Sequence, residues 1–587
     1  MKRIITLILL LFVCICGYAQ TLDPALLKEM GKRGEDEKIN VVVIMKSQYD
    51  REQLNRRAGN FISRAERREF VVNELKQFAE TSQYELRTIL SEMDRHDMTT
   101  TPKIIWMANA LYFSATKQAI NDLAQRKDIA IIGFDEKKYV LFDEVPKPVS
   151  TTREITPNVT QVNADRAWDL GYTGQGVVVA VIDTGVNYNH LDLADHLWDG
   201  GDAYPNHGFD FMNVDNDPMD DHGHGTHCAG TVCGDGTAGS QTGMAPDATL
   251  MCVKVLDDDG WSTAAITCNG MQWAVEQGCD LFSMSLGWIE PTPTESSLFR
   301  NTCAAILDAG VVGAIAAGNF GNMLNSLPIP YNVGTPGSCP PPYMDEVQGE
   351  NPGGLSCSVC VGAVDYDDEA AYFTSRGPVT WADTEFGDYP YNPGIGLIRP
   401  DVCAPGVDVK SLDYQSTSDY TIMSGTSMAT PCVAGCMALM LSKDNDLTPS
   451  DICRMLEETA LRLAMGKSNT YGYGRVDIMA AFQPSAVQYN NDFEIKDEVG
   501  NHNGNLNPGE SVTMSVALVN TLSDMVSNVT IALTTSDTLV TITQNTATCP
   551  NFAPNEALVV DDAFAFTVSD DAVAKEQIRF KLSSKLG

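Results

Sequence analysis

Three apolar runs, at 177–182, 249–255 and 310–316, constrain this chain more than any other feature. They are rich in Val, Leu, Ile and Ala, and none alternates with polar residues as a half-exposed strand does. Such runs are strands buried on both faces. Gly and Asp bound them and helical stretches separate them. That order predicts an α/β domain with a doubly wound, mostly parallel sheet. The pattern holds over residues 158–484, a length that suits one large domain with insertions.

The flanks read differently. Lys2 and Arg3 precede a short apolar run at 4–16, and Gly17-Tyr18-Ala19 is a small-x-small pattern before Gln20. This is the form of a cleavable export signal over residues 1–19, too short for a comfortable membrane span. No later stretch reads as a span, so a secreted or cell-surface location is expected.

Residues 20–142 give a strand at 39–45, a long helix at 61–93, two short strands within 104–113 joined near Asn109, a helix at 116–126 and a strand at 129–134. That is a β-α-β-β-α-β order, a small α+β domain. Residues 143–157 are a linker containing Pro, Ser and Thr, where processing is expected. Residues 485–587 read as an all-β, sandwich-like domain. Alternating stretches at 510–519, 526–533 and 563–568 follow Asn503-Gly504 and Pro508-Gly509 turns. The chain stops soon after a strand expected at 577–582, so the sandwich is either small or cut short.

The net charge is −37. Residues 21–150 carry 21 basic and 21 acidic residues, so the excess falls after them. Such a surface repels nucleic acid and anionic membranes, and neither is expected as a partner. Of 16 cysteines, two lie in the leader, 13 lie between Cys228 and Cys453, and Cys549 stands alone. An exported chain can form disulfides, but their pairing is not legible in sequence. Cys357-Ser-Val-Cys360 has no companion pair, which favours a structural disulfide or buried thiols over a metal site.

Three motifs carry chemistry. The run at 177–182 ends in Asp183-Thr-Gly-Val186, a carboxylate at the carboxyl end of a buried strand. As a bare string this also marks aspartic proteases, although no second Asp-Thr/Ser-Gly supports that reading. Asp221-His-Gly-His224-Gly-Thr-His227 surrounds an imidazole with Gly. His224 and His227 could instead be zinc ligands, but no third ligand is obvious. Ser424-Gly-Thr-Ser427-Met-Ala-Thr-Pro431 leads into an apolar helix, with Pro431 expected in its first turn. Ser427 then lies at the positive helix end, as a nucleophile or as a simple cap.

Together the motifs supply a nucleophile, a base and an orienting carboxylate. Over residues 158–484 the chain resembles the subtilase family. The resemblance implies a serine endopeptidase acting through an acyl-enzyme, with Asp183, His224 and Ser427 as triad and no cofactor for the chemistry. Ala316-Ala-Gly-Asn319 looks like the family's oxyanion motif, so Asn319 would donate to the oxyanion beside the Ser427 N–H. Ser285, Leu286 and Gly287 would pair with an extended protein or peptide substrate. Residues 374–378 and 399–406 match family landmarks with structural roles. Residues 20–142 resemble a subtilase propeptide, an intramolecular inhibitor. Asp210, Asn213, Asp215 and Asp217 map onto a calcium loop of thermitase-like members, although Met219 falls where a polar ligand is expected. An insertion at 331–354 leaves the pocket preference unassigned. A non-catalytic binding protein on the same scaffold would lack a triad or oxyanion residue, and none is missing.

Overall fold

The structure, a computed structural model, describes residues 21–59, 61, 63–141, 147–148, 153–341, 355–381, 396–464, 466–482, 487–499, 506–520, 525–535, 537–553, 556–572 and 580–586. The leader at 1–19, most of the linker at 143–152 and much of the insertion at 342–354 lie outside the described residues. The chain forms two compact units, 1–481 and 482–587.

In the first unit, residues 21–141 build an antiparallel sheet with helices against it. The elements are α1 (Pro24–Met30), β1 (Ile39–Met45), α2 (Arg51–Ala58), α3 (Arg64–Ser82), α4 (Tyr84–Arg95), β2 (Lys103–Ile105), β3 (Ala110–Ala115), α5 (Lys117–Leu123) and β4 (Ile129–Phe134). The sheet order is β2-β3-β1-β4. The single helix expected at 61–93 is two helices. The chain reorients at Gln83, whose buried amide donates to Asn109 Oδ1 at 2.8 Å. Asn109 itself takes a left-handed conformation between β2 and β3. α1 and α2 were not legible in the sequence. Both are short, and Asp23 and Asp50 start them by accepting from backbone N–H groups.

Two short strands follow, β5 (Lys138–Tyr139) and β6 (Lys147–Pro148). The buried runs then form the seven-stranded sheet, from β7 (Val178–Asp183), β8 (Gly208–Asp210), β9 (Thr249–Lys254), β11 (Leu281–Met284), β12 (Val312–Ala316), β13 (Ser358–Val364) and β14 (Val402–Pro405). Between β9 and β11, β10 (Trp261–Ser262) pairs with β5 instead. All neighbours in the order β14-β13-β12-β11-β7-β9-β8 are parallel. Helices α6 (His224–Cys233), α7 (Ala264–Glu276), α8 (Pro293–Asp308) and α9 (Thr426–Lys443) accompany the sheet. α9 is buried nearly throughout, as the apolar run at 431–441 requires. β15 (Val409–Leu412) and β16 (Tyr420–Met423) form a small antiparallel sheet with β6.

The domain at 21–141 lies against α7 and α8. Asp23 Oδ2 accepts from the N–H of Thr294 at 3.2 Å and from its hydroxyl at 2.8 Å, and Asp135 Oδ1 accepts from the Ala265 N–H at 3.3 Å. Each carboxylate therefore meets the positive end of a helix. Arg51 pairs with Asp308, and Arg64 and Arg68 with Asp280. Gly133 approaches Thr294 so closely that a Cβ would lie 2.1 Å from its hydroxyl oxygen.

The second unit is a sandwich of two antiparallel sheets. One has the order β17-β18-β22-β20, built from Val487–Val499, Ser511–Asn520, Ala557–Val568 and Val540–Gln544. The other has the order β21-β19-β23, built from Thr546–Thr548, Val529–Thr534 and Lys581–Leu586. Leu518 and Phe564 from the first sheet share an apolar core with Ile531 and Leu533 from the second.

Candidate active site

β7, β11 and β12 are neighbours in the sheet, so their carboxyl ends deliver residues side by side. Asp183 ends β7, Ser285 to Gly287 follow β11, and Asn319 follows β12. Asp183 and His224 are buried. The Asp183 Oδ1 accepts from His224 Nδ1 at 2.6 Å and from the Thr184 N–H at 2.8 Å. That bond places the imidazole proton on Nδ1 and leaves Nε2 as the basic nitrogen.

His224 opens α6, and the glycines around it are there for space. A Cβ on Gly225 would lie 2.1 Å from the Gly185 carbonyl oxygen. Gly223 takes φ 109° beside the Tyr414 ring. Asp220 joins the two loops, a contact not drawn from the sequence. Its Oδ1 accepts from the Thr184 hydroxyl, and its Oδ2 accepts from the N–H and hydroxyl of Thr226. An acid a few residues before a helix start was the available signal.

Ser427 is the second residue of α9, within the first turn whose N–H groups have no helical acceptor. Its hydroxyl donates to the Ser285 carbonyl at 3.2 Å, and the Ser285 hydroxyl donates back to the Ser427 carbonyl at 2.8 Å. Pro431 explains the second bond. It stands four residues after Ser427, inside the helix rather than in the first turn, and has no N–H to give. The Ser427 carbonyl accepts instead from Ser285 and, at 3.4 Å, from the Cys228 thiol. Cys228 also lies 4.0 Å from His224 Nδ1, so one buried sulfur sits between the Ser427 and His224 segments.

Asn319 is oriented by Thr426. Its Oδ1 accepts from the Thr426 N–H and hydroxyl, both at 2.9 Å, so its amide nitrogen is the end left to face Gly425. A Cβ on Gly425 would come within 2.9 Å of that nitrogen. The sequence pattern points to Asn319 but gives no sign of Thr426.

Of the three residues expected to pair with substrate, Gly287 makes a ladder bond here. Its N–H donates to the Val140 carbonyl at 3.1 Å, and the Val140 N–H donates to the Gly260 carbonyl at 3.2 Å. Lys138 and Tyr139 continue the pairing against Ser262 and Trp261. Residues 138–141 thus lie in extended form along a groove shared with Gly287, Trp288 and Asn319. Leu286 is packed in the core and Ser285 holds Ser427.

His227 Nε2 is turned to the Val409 carbonyl at 3.1 Å, away from any pairing with His224 as zinc ligands. In the acidic loop, Asp210 Oδ1 accepts from the N–H groups of Met212 and Asn213, and Oδ2 accepts from the Asn213 amide at 2.9 Å. Burial raises the pKa of Asp210 against these bonds. Asp215 accepts from the Asp217 N–H, and Asp217 accepts from the Tyr188 hydroxyl. Asp210, Asp215 and Asp217 do not form one of the convergent ligand groups among the described residues. These bonds hold the loop, and its carboxylates do not converge into a preformed calcium cage. All fourteen cysteines after the leader are unbridged and buried, Cys357 and Cys360 included.

The Subtilase family model matches residues 174–474. Among curated proteins the chain is similar to subtilisin E of Bacillus subtilis, 31% identical over 375 residues that cover 64% of this chain and 81% of that protein. It is similar to subtilisin DY of Bacillus licheniformis, 35% identical over 55% of this chain and 96% of the relative. Thermitase of Thermoactinomyces vulgaris is 32% identical over 57% of this chain and 98% of its own length.

Proposed function

Since the chain belongs to the subtilase family and is a serine-type endopeptidase, we propose that it is exported as an autoinhibited precursor whose triad is Asp183, His224 and Ser427. His224 Nε2 takes the proton of the Ser427 hydroxyl as its oxygen attacks the substrate carbonyl. Asp183 holds the ring and stabilises the imidazolium that forms. The Asn319 amide and the Ser427 N–H donate to the oxyanion of the tetrahedral intermediate. His224 then returns the proton to the leaving amine, and water repeats the sequence on the acyl-enzyme. No cofactor takes part in these steps.

The observation that carries the precursor reading is the Val140–Gly287 bond. Residues 138–141 lie where an extended substrate would lie, and the domain that ends there caps two helices of the peptidase. The export reading is supported by the residues at 1–19 and by relatives of the subtilisin type. No described helix is long and apolar enough to cross a membrane.

Expression of the whole chain tests the proposal. The wild type should give a mature chain beginning between residues 142 and 155, found outside the cytoplasm. Ser427→Ala should remain joined to residues 21–141. A Ser427→Ala protein processed like the wild type would sink self-processing, and a fully active uncut chain would sink autoinhibition.

A further inference from the structure

Lys254 ends β9, and the sheet register sets it beside Asp183 on one side and Asp210 on the other. It is 1% exposed. A lysine is rarely buried so completely without partners that need its charge. Its Nζ donates to the Thr184 carbonyl at 2.6 Å and to Asp221 Oδ1 at 2.5 Å. Thr184 follows Asp183, and Asp221 stands three residues before His224. One ammonium therefore ties the loop that carries the carboxylate to the loop that carries the imidazole. Asp183 is held by few bonds of its own, both on Oδ1. Its Oδ2 is buried and accepts no hydrogen bond among the described residues, so its charge is met on one oxygen only.

We propose that Lys254 is a positioning residue of the peptidase reaction, fixing the Asp183 loop against the His224 loop. The inference rests on the triad assigned above. The charged and titratable groups around the pair are Asp183 and Asp210 from the sheet, Asp220, Asp221 and His222 from the loop before α6, and Cys228 within α6. Removing the ammonium leaves Asp221 without its cation and the His224 surroundings more negative. The imidazolium is then favoured, and activity should fall away at a higher pH. Removing the Asp221 charge instead should move the acid limb the other way.

Steady-state kinetics of the mature enzyme on a short peptide test this, from about pH 5 to about pH 10. Lys254→Met should lose at least about tenfold in kcat, with KM within about twofold of wild type. Its acid limb should rise by about half a pH unit. Lys254→Arg should recover most of the loss, which a simple packing role would not allow for so different a side chain. Asp221→Asn should lower the acid limb. A folded Lys254→Met enzyme with wild-type kcat and pH profile would overturn the proposal. So would an Asp221→Asn limb that is unmoved or moves upward, and this arm stands even if Lys254→Met does not fold. A Ser427→Ala enzyme that still turned over would overturn the triad itself, a result separable from any seen at Lys254.

Discussion

His224 Nδ1 donates to Asp183 Oδ1 across 2.6 Å, between a residue that opens a helix and one that ends a strand. Loss of that acceptor should leave the ring free to take the wrong tautomer. Under the proposed triad, Asp183→Asn should therefore lower kcat by about 10⁴-fold, and Ser427→Ala by about 10⁶-fold, the sizes such changes have in characterised serine-protease triads, subtilisin's among them. Peptide hydrolysis by enzyme freed of residues 21–141, normalised to protein concentration, would check both. Near-normal turnover in either variant would contradict the assignment.

Asn319 and Thr426 make a paired prediction. Asn319→Ala removes the proposed side-chain oxyanion donor and should cost about 10²- to 10³-fold in kcat with little change in KM, again the subtilisin scale. Thr426→Val keeps the donor but removes the hydroxyl that fixes its orientation. It should show a smaller loss of the same kind. A loss confined to KM would count against both roles.

Asp135 gives a pH dependence. Burial against α7 raises its pKa to about 7, opposed by the Thr263 hydroxyl and the Ala265 N–H. A carboxyl whose pKa is raised on docking binds a proton as the domains come together. The association is therefore weakest when that proton is gone. On the proposed precursor reading, the released 21–141 domain should hold the peptidase most tightly at low pH, and its affinity should fall as pH rises from about 5 to about 7, by at most about tenfold per unit. Asp135→Asn should flatten that slope. Inhibition measured across this range checks it, and an affinity that rises with pH would refute it.

Cys228 is a thiol with no disulfide, buried between the Ser427 carbonyl and His224, and burial pushes its pKa up. A thiol held protonated reacts slowly with alkylating reagents. Iodoacetamide should leave the mature enzyme active, whereas a mercurial should inactivate it by crowding the imidazole. Cys228→Ala should resist the mercurial. Inactivation of that variant would place the sensitive thiol elsewhere.

Strand burial, motif order and residue type were legible in the sequence because each is a local property. The runs at 177–182, 249–255 and 310–316 became β7, β9 and β12, and the α/β sheet with its flanking α+β and β-rich domains followed from pattern alone. Where the pattern was ambiguous, the fold chose. The periodicity of 61–93 runs through Gln83, but a buried polar contact with Asn109 turns the chain there. The acids of the 210–217 loop look alike in sequence, yet backbone N–H groups, the Asn213 amide and the Tyr188 hydroxyl claim their oxygens. The finer parts of the candidate site depend on segments distant in the chain. Asp183 meets His224 across 41 residues, Ser285 meets Ser427 across 142, and Lys254 reaches Thr184 across 70. Hydrogen bonds of this kind require donor and acceptor to lie within about 3 Å in a defined direction. No periodicity or motif encodes such a distance, so only the packed sheet, with its register fixed, decides which of these groups meet.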